Sequence, residues 1–160
     1  MIKQNISFDI SVYDSLEELL KEDKELMQLA IAAREKAYAP YSGFNVGAAV
    51  LLENGKVVTG SNQENAAYPS GLCAERVAVF YAGANYPGVK IKKIAITAAS
   101  VNYVVERAAA PCGNCRQAIS EYEVKQDSPI ALFLMGEKGK VLQCNAIADI
   151  LPLAFTSNYL

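Results

Sequence analysis

The sequence predicts an α/β fold, a three-layer α/β/α arrangement around a five-stranded mixed sheet. Three observations predict it. The elements alternate as helix, hairpin, helix, strand, helix, strand, strand, helix, and strand–helix–strand units put helices on the faces of a sheet. Asn54-Gly55 lies between two apolar runs, a two-residue hairpin signal that supplies an antiparallel pair. Ile91–Ala99 (IKKIAITAA) reads as a buried strand with helical segments on either side.

Each element has a local reason. Residues 4–13 alternate weakly, as a strand or an extended arm does. Ser15 and Glu18 have capping-box spacing around Leu16, ahead of Leu19 and Leu20. A helix is expected from about Lys24 to Tyr38, with an apolar stripe of Leu26, Ala30, Ala33 and Ala37, stopped by Pro40. Asn45–Glu53 and Lys56–Asn62 are the hairpin strands, and residues 65–71 form a loop. Cys73–Ala84 is an Ala-rich helix that Pro87-Gly88 breaks, and Cys112–Glu123 is a helix opened by Pro111. Pro129–Met135 and Lys140–Cys144 are strands around a turn at 136–139, and Ala146–Leu151 is a short helix ending at Pro152.

Composition narrows the function. A chain of 160 residues suits one domain and buries roughly 70% of the surface its unfolded form exposes. The net charge of −2 offers no basic surplus for nucleic acid. The first residues lack the apolar core of a signal peptide, and no apolar run reaches membrane-spanning length, so a cytoplasmic protein with reduced thiols is expected. Four cysteines in a reducing compartment suit metal ligation or packing better than disulfides.

Three of those cysteines sit in two short stretches, LCAER (72–76) and PCGNCRQ (111–117). Cys112 and Cys115 lie three apart at the start of a helix, so both sulfurs can meet one metal. The positive end of the helix favours their thiolates. Cys73 also opens a helix, and if the two helix ends face each other three thiolates converge. Zinc held by three protein ligands keeps a fourth position for water, as catalytic sites do. There is no histidine to complete a structural site. The C-x-x-C taken alone also suits redox chemistry or plain burial, and Cys144, at a strand end, reads as packing.

Glu75 lies two residues after Cys73. Two residues on a helix point about 200° apart, so both can act only on something over the helix end. A carboxylate placed there can shuttle protons without binding metal, although a first-turn glutamate is also an ordinary partner of the helix dipole. Three thiolates overcompensate a divalent cation. Arg76 or Arg116, each next to this cluster, can restore the balance by hydrogen-bonding sulfur, a role that for Arg116 stands beside that of a surface arginine.

The pattern C-x-E followed by P-C-x-x-C resembles the zinc deaminase signature with its non-ligand glutamate. With Cys in place of the first His, it is similar to the small homotetrameric cytidine deaminases. The segments YAPYSGFNVGAAVL, GSNQENAAY, CAERVA, PCGNCRQ and LPLAF match that family's blocks in order, from about Ala30 to Phe155. The resemblance implies a cytidine-deaminase-like domain over residues 23–160, with residues 1–22 as an extension of no assigned role. It implies one zinc per subunit on Cys73, Cys112 and Cys115, and Glu75 as the catalytic proton carrier. It implies hydrolytic deamination of cytidine and deoxycytidine to uridine and deoxyuridine, with ammonia released, in pyrimidine salvage. Substrate-binding roles carry over to Asn62 and Glu64 on the ribose, Phe44 on the pyrimidine ring and the Ala74 backbone on the base. Tyr68 and Phe155 carry over as aromatics serving a neighbouring subunit's site, within a homotetramer whose active sites are shared.

Other readings make different demands. A deaminase of another aminopyrimidine, such as blasticidin S, shares the metal and the glutamate, whereas LPLAF and the pairing of Asn62 with Glu64 favour the nucleosides. A nucleotide substrate wants a Lys/Arg cluster that is not evident. A non-catalytic zinc module has no use for Glu75, and a thiol redox protein would hold no zinc.

Overall fold

The computed structural model describes residues 1–160. Six strands form one sheet: β1 (Ser11–Tyr13), β2 (Phe44–Leu52), β3 (Val57–Ser61), β4 (Ile91–Ser100), β5 (Ala131–Met135) and β6 (Val141–Cys144). Their order is β1-β6-β5-β4-β2-β3. Only β4 and β5 run parallel, and the other neighbours are antiparallel. The helices are α1 (Lys21–Arg34), α2 (Ala74–Asn85), α3 (Gly113–Gln126) and the single turn α4 (Ile147–Ile150). The mixed sheet and the three layers agree with the sequence expectation. The count is six rather than five because Ser11–Tyr13 pairs with Val141–Gln143 and adds an edge strand.

The central strands are apolar on both sides, and their alternation divides the core in two. Ala48, Val50 and Leu52 of β2 face α2 and α3, with Ala78, Val79 and Ile119 in the same cluster. Ala49 and Leu51 face α1, against Leu26, Met27 and Ala30. Asn54-Gly55 turns the hairpin with Gly55 at φ +79°, a conformation that costs glycine little.

The first helix ends at Arg34, four residues short of the expected Tyr38. Propensity loses to pairing there. The Tyr38 amide donates to the Asn62 carbonyl at 3.0 Å, and the Tyr38 carbonyl accepts from the Glu64 amide at 2.8 Å. Ala37 therefore leaves the helical stripe. The segment from Tyr38 onward becomes one wall of the cleft described below. Ser15 caps a 3₁₀ turn, Leu16–Glu18, by accepting from the Glu17 amide, while Glu18 accepts from the Asp14 amide. The expected capping is thus displaced by one residue.

Two helices approach the sheet closely enough to exclude a side chain. A Cβ on Gly47 would lie 2.0 Å from the Ala30 carbonyl oxygen of α1. A Cβ on Gly60 would lie 2.6 Å from that of Ala74 in the first turn of α2. Gly60 thereby lets the N-terminus of α2 rest on β3, and α2 carries the centre described next.

Candidate metal centre and active site

Cys73 and Cys112 are the N-cap residues of α2 and α3, in extended conformation. Both helices begin at the same end of the sheet, so their positive ends meet. The Sγ atoms of Cys73 and Cys112 are 3.9 Å apart, those of Cys112 and Cys115 are 3.5 Å apart, and all three lie within 4.8 Å of one another. Tetrahedral zinc with Zn–S bonds of about 2.3 Å separates its sulfurs by about 3.8 Å. The three thiols fit that ion as they stand. Cys144 is buried in the core beside Ile147 and belongs to no such group, as its packing role requires.

The electrostatics agree. In the metal-free protein the Cys73 thiol is pushed down to about 5, chiefly by its hydrogen bond with Cys115, with Cys112 and Arg76 assisting against the cost of burial. Cys115 moves up, because its hydrogen bond to Cys73 and its burial both oppose a second negative charge. The three thiols together therefore favour a first negative charge and oppose a second. The sulfurs of Cys73 and Cys115 together hold the Arg76 guanidinium charged despite partial burial. Arg76 also reaches the Gly71 carbonyl at 3.5 Å, and its Nε has no partner.

Arg116 does not join the sulfurs. It donates to the carbonyls of Pro111 at 2.9 Å and Ile150 at 2.8 Å, tying the residue before Cys112 to α4. Its neighbour Gln117 donates to the Phe155 carbonyl at 2.8 Å. Neither tie was legible in sequence, because both partners are distant main-chain oxygens.

Glu75 is the second residue of α2 and is only 4% exposed. Its Oε2 is buried without a hydrogen-bond partner. Burial pushes its carboxyl up, and the charge on Cys73 adds to that. An orphaned buried carboxyl oxygen beside three thiols is costly, and such groups concentrate where chemistry needs them. Because Cys73 is a cap outside the helix, it and Glu75 both address the space over the helix end.

A cleft of about 380 Å³ opens at Cys73 and Arg76 and runs out past Asn62, Glu64 and Tyr68. The Asn62 side chain donates to the Phe44 carbonyl at 2.9 Å and accepts from the Val46 amide at 2.7 Å. It thus clips the start of β2 while keeping one N–H and one lone pair free. Glu64 is half-buried and is held by the Ser42 hydroxyl at 2.5 Å and by the amides of Tyr41 and Ser42. The Ser42 hydroxyl, followed by the Tyr41 amide, lowers its carboxyl, so it stays an acceptor. Sequence reasoning missed Tyr41 and Ser42, whose use depends on a fold-back across 22 residues.

The remaining candidates occupy distinct places. Phe44 opens β2, half-buried, and its carbonyl holds Asn62. Ala74 is fully buried in the first turn of α2. Tyr68 is 74% exposed at the cleft, its ring 6.1 Å from that of Tyr41. Phe155 is 61% exposed, stacks on Tyr159 at 5.5 Å and is not part of the cleft wall. Within one chain the structure therefore brings together the cysteines, Glu75, Arg76, Asn62, Glu64 and Tyr68, and leaves both Phe44 and Phe155 off the cleft wall. No helix is long and apolar enough to cross a membrane.

The family model for the cytidine and deoxycytidylate deaminase zinc-binding region matches residues 20–127. The chain is 40% identical over 134 residues to a cytidine deaminase of Halalkalibacterium halodurans, covering 82% of this chain and 92% of that protein. It is 39% identical over 142 residues to one of Sporosarcina psychrophila, covering 88% and 91%. Among solved structures, cytidine deaminase from Burkholderia pseudomallei superposes with a TM-score of 0.72 at 40% identity, covering 86% of this chain and all of that one. The enzyme from Mycobacterium tuberculosis superposes with a TM-score of 0.64 at 31% identity, covering 85% and 98%.

Proposed function

The chain belongs to the cytidine and deoxycytidylate deaminase family, and from that premise we propose how its own residues perform zinc-dependent hydrolytic deamination of cytidine and deoxycytidine. The observation that carries the reading is the convergence of three thiols with a buried, unpartnered carboxyl at the head of a cleft. Cys73, Cys112 and Cys115 would hold the zinc, which when bound would supply a nucleophile from water at neutral pH and stabilise developing negative charge.

Glu75 carries the protons. Its raised affinity for a proton suits a group that must accept one from the attacking water and release it within the same turnover. It delivers that proton to N3 of the cytosine ring as C4 becomes tetrahedral. It then takes the proton of the new C4 hydroxyl and passes it to the departing amine, so that the C4 carbonyl forms as the C4–N bond breaks, and cytidine and water become uridine and ammonia. Arg76 offsets the charge of the thiolates. Arg116, bridging Pro111 and Ile150, holds the turn that presents Cys112.

Substrate recognition follows from the cleft wall. Glu64 accepts from a sugar hydroxyl, and the spare valences of Asn62 bind its neighbour. Phe44 packs on the pyrimidine, and the Ala74 main chain meets the base. Arg76 is the only cation on the cleft wall and is engaged at the sulfurs, so a nucleoside suits the cleft better than a nucleotide. Phe155, exposed and held on Gln117, and Tyr68 at the cleft mouth serve neighbouring sites in a homotetramer, in a cytoplasmic salvage role.

The test is loss of cytidine and deoxycytidine absorbance with the purified protein, with its zinc content measured. Turnover with about one zinc per chain is expected. Bound zinc with turnover only of another aminopyrimidine would overturn the substrate, and bound zinc with no turnover of any would overturn the enzyme.

A further inference from the structure

Residues 1–10 lie ahead of both β1 and the family match, and nothing in the catalytic scheme uses them. Their pattern is regular. The odd positions Lys3, Asn5, Ser7, Asp9 and Ser11 are polar, and the even positions Ile2, Ile6, Phe8, Ile10 and Val12 are apolar, with Gln4 the one exception. This is the period of a strand with one covered face. Within one chain that face is only half covered: Ile6, Phe8, Ile10 and Val12 are 41–54% exposed. No residue before Ser11 takes part in a ladder.

The stripe continues the fold. Val12 pairs with Leu142, which packs against the α2–α3 side of the core, so the even positions extend that face. Tyr13, of the opposite parity, packs against the α1 side. β1 is the last strand of the sheet, with β6 on one side and a free edge on the other. Such an edge, continued by an unpaired arm, is a template for another strand.

We propose that the occupant is the same arm of a second copy, paired antiparallel across a two-fold axis at Ile6. The arm is complementary to itself in that register. Lys3 of one copy lies opposite Asp9 of the other, and Asn5 opposite Ser7. On the even face Ile2 meets Ile10, Ile6 meets its own mate, and Gln4 falls opposite Phe8. No other antiparallel register joins the arm's one lysine to its one aspartate. A two-fold axis makes each of these contacts twice, apart from Ile6 on Ile6 at the axis, as isologous interfaces do, and opposite charges and apolar pairs across strands each add stability. The two sheets are then joined through the paired arms that continue their β1 strands, and the arm is an assembly element distinct from the catalytic domain.

Crosslinking of the full-length, zinc-loaded protein tests this. Residues directly opposite in an antiparallel pair have Cα atoms about 4.5–5.5 Å apart, within disulfide reach. Mild oxidation of Ile6→Cys should link most chains as dimers on a non-reducing denaturing gel. The two copies of residue 3 stand about 20 Å apart in this register, so Lys3→Cys alone should stay unlinked, as should Asp9→Cys alone, while a mixture of the two links. The unsubstituted protein, its native thiols engaged by zinc, sets the background. Ile6→Cys that links no more than background would overturn the proposal. So would equal linking by Ile6→Cys and Lys3→Cys alone, which marks loose arms in collision.

Discussion

Replacing Glu75 by Gln should abolish most of the activity and stabilise the metal-free protein. The substitution is isosteric, at a residue 4% exposed whose Oε2 has no partner, so packing is kept and no hydrogen bond at Oε2 is lost. A positioned proton carrier contributes about 10²–10⁴-fold in rate, or about 2.7–5.4 kcal/mol of barrier. The same carboxyl serves two transfers here, which argues for the upper end. Stability moves the other way. Burial raises the Glu75 carboxyl above its unfolded value. Its contribution is therefore fully present below the unfolded value near pH 4.3 and is lost as pH rises through the folded one. Gln has no such loss. The metal-free parent should weaken relative to Glu75→Gln as pH climbs from 4 toward neutrality, read by urea denaturation at several pH values. Rates come from cytidine absorbance, with zinc content measured in both proteins. A loss below about tenfold with zinc retained would refute the proton-carrier role. A stability difference that does not change with pH would refute the buried-carboxyl account.

Cys112→Ser should lower zinc content and melting temperature together, since ligand binding to the folded state is folding free energy. Chelation of the parent should lower its melting temperature in the same direction, and added zinc should restore it. Glu64→Gln should lower kcat/KM for cytidine by about 10–100-fold, the worth of hydrogen bonds to a charged acceptor, mostly through KM. Lys93→Met strands the buried Asp23, which Lys93 reaches at 2.5 Å. At neutral pH it should cost about 3–4 kcal/mol, because one charge is left buried without its partner, as read by denaturant titration. The second carboxylate on Lys93, that of Glu22, is more than half exposed and adds little.

The sequence by itself determined whatever depends on local order. Asn54-Gly55 demanded a hairpin, alternation and helical stripes set the layers, and Cys112 with Cys115 shared a face by spacing alone. The resemblance then joined these to Cys73 and Glu75 before any coordinates. Tertiary structure decided what depends on groups far apart in the chain. It ended α1 at Arg34, because Tyr38 gains main-chain partners at Asn62 and Glu64 that helix continuation would forfeit. It turned Arg116 from the sulfurs to the carbonyls of Pro111 and Ile150. It gave Glu64 its Ser42 and Tyr41 partners, and it added β1 as a sixth strand. Local propensities are worth tenths of a kilocalorie per residue, whereas a buried polar group left unpaired costs about 1–3 kcal/mol. Where the two compete, the long-range partner prevails, and a linear sequence does not display who that partner is.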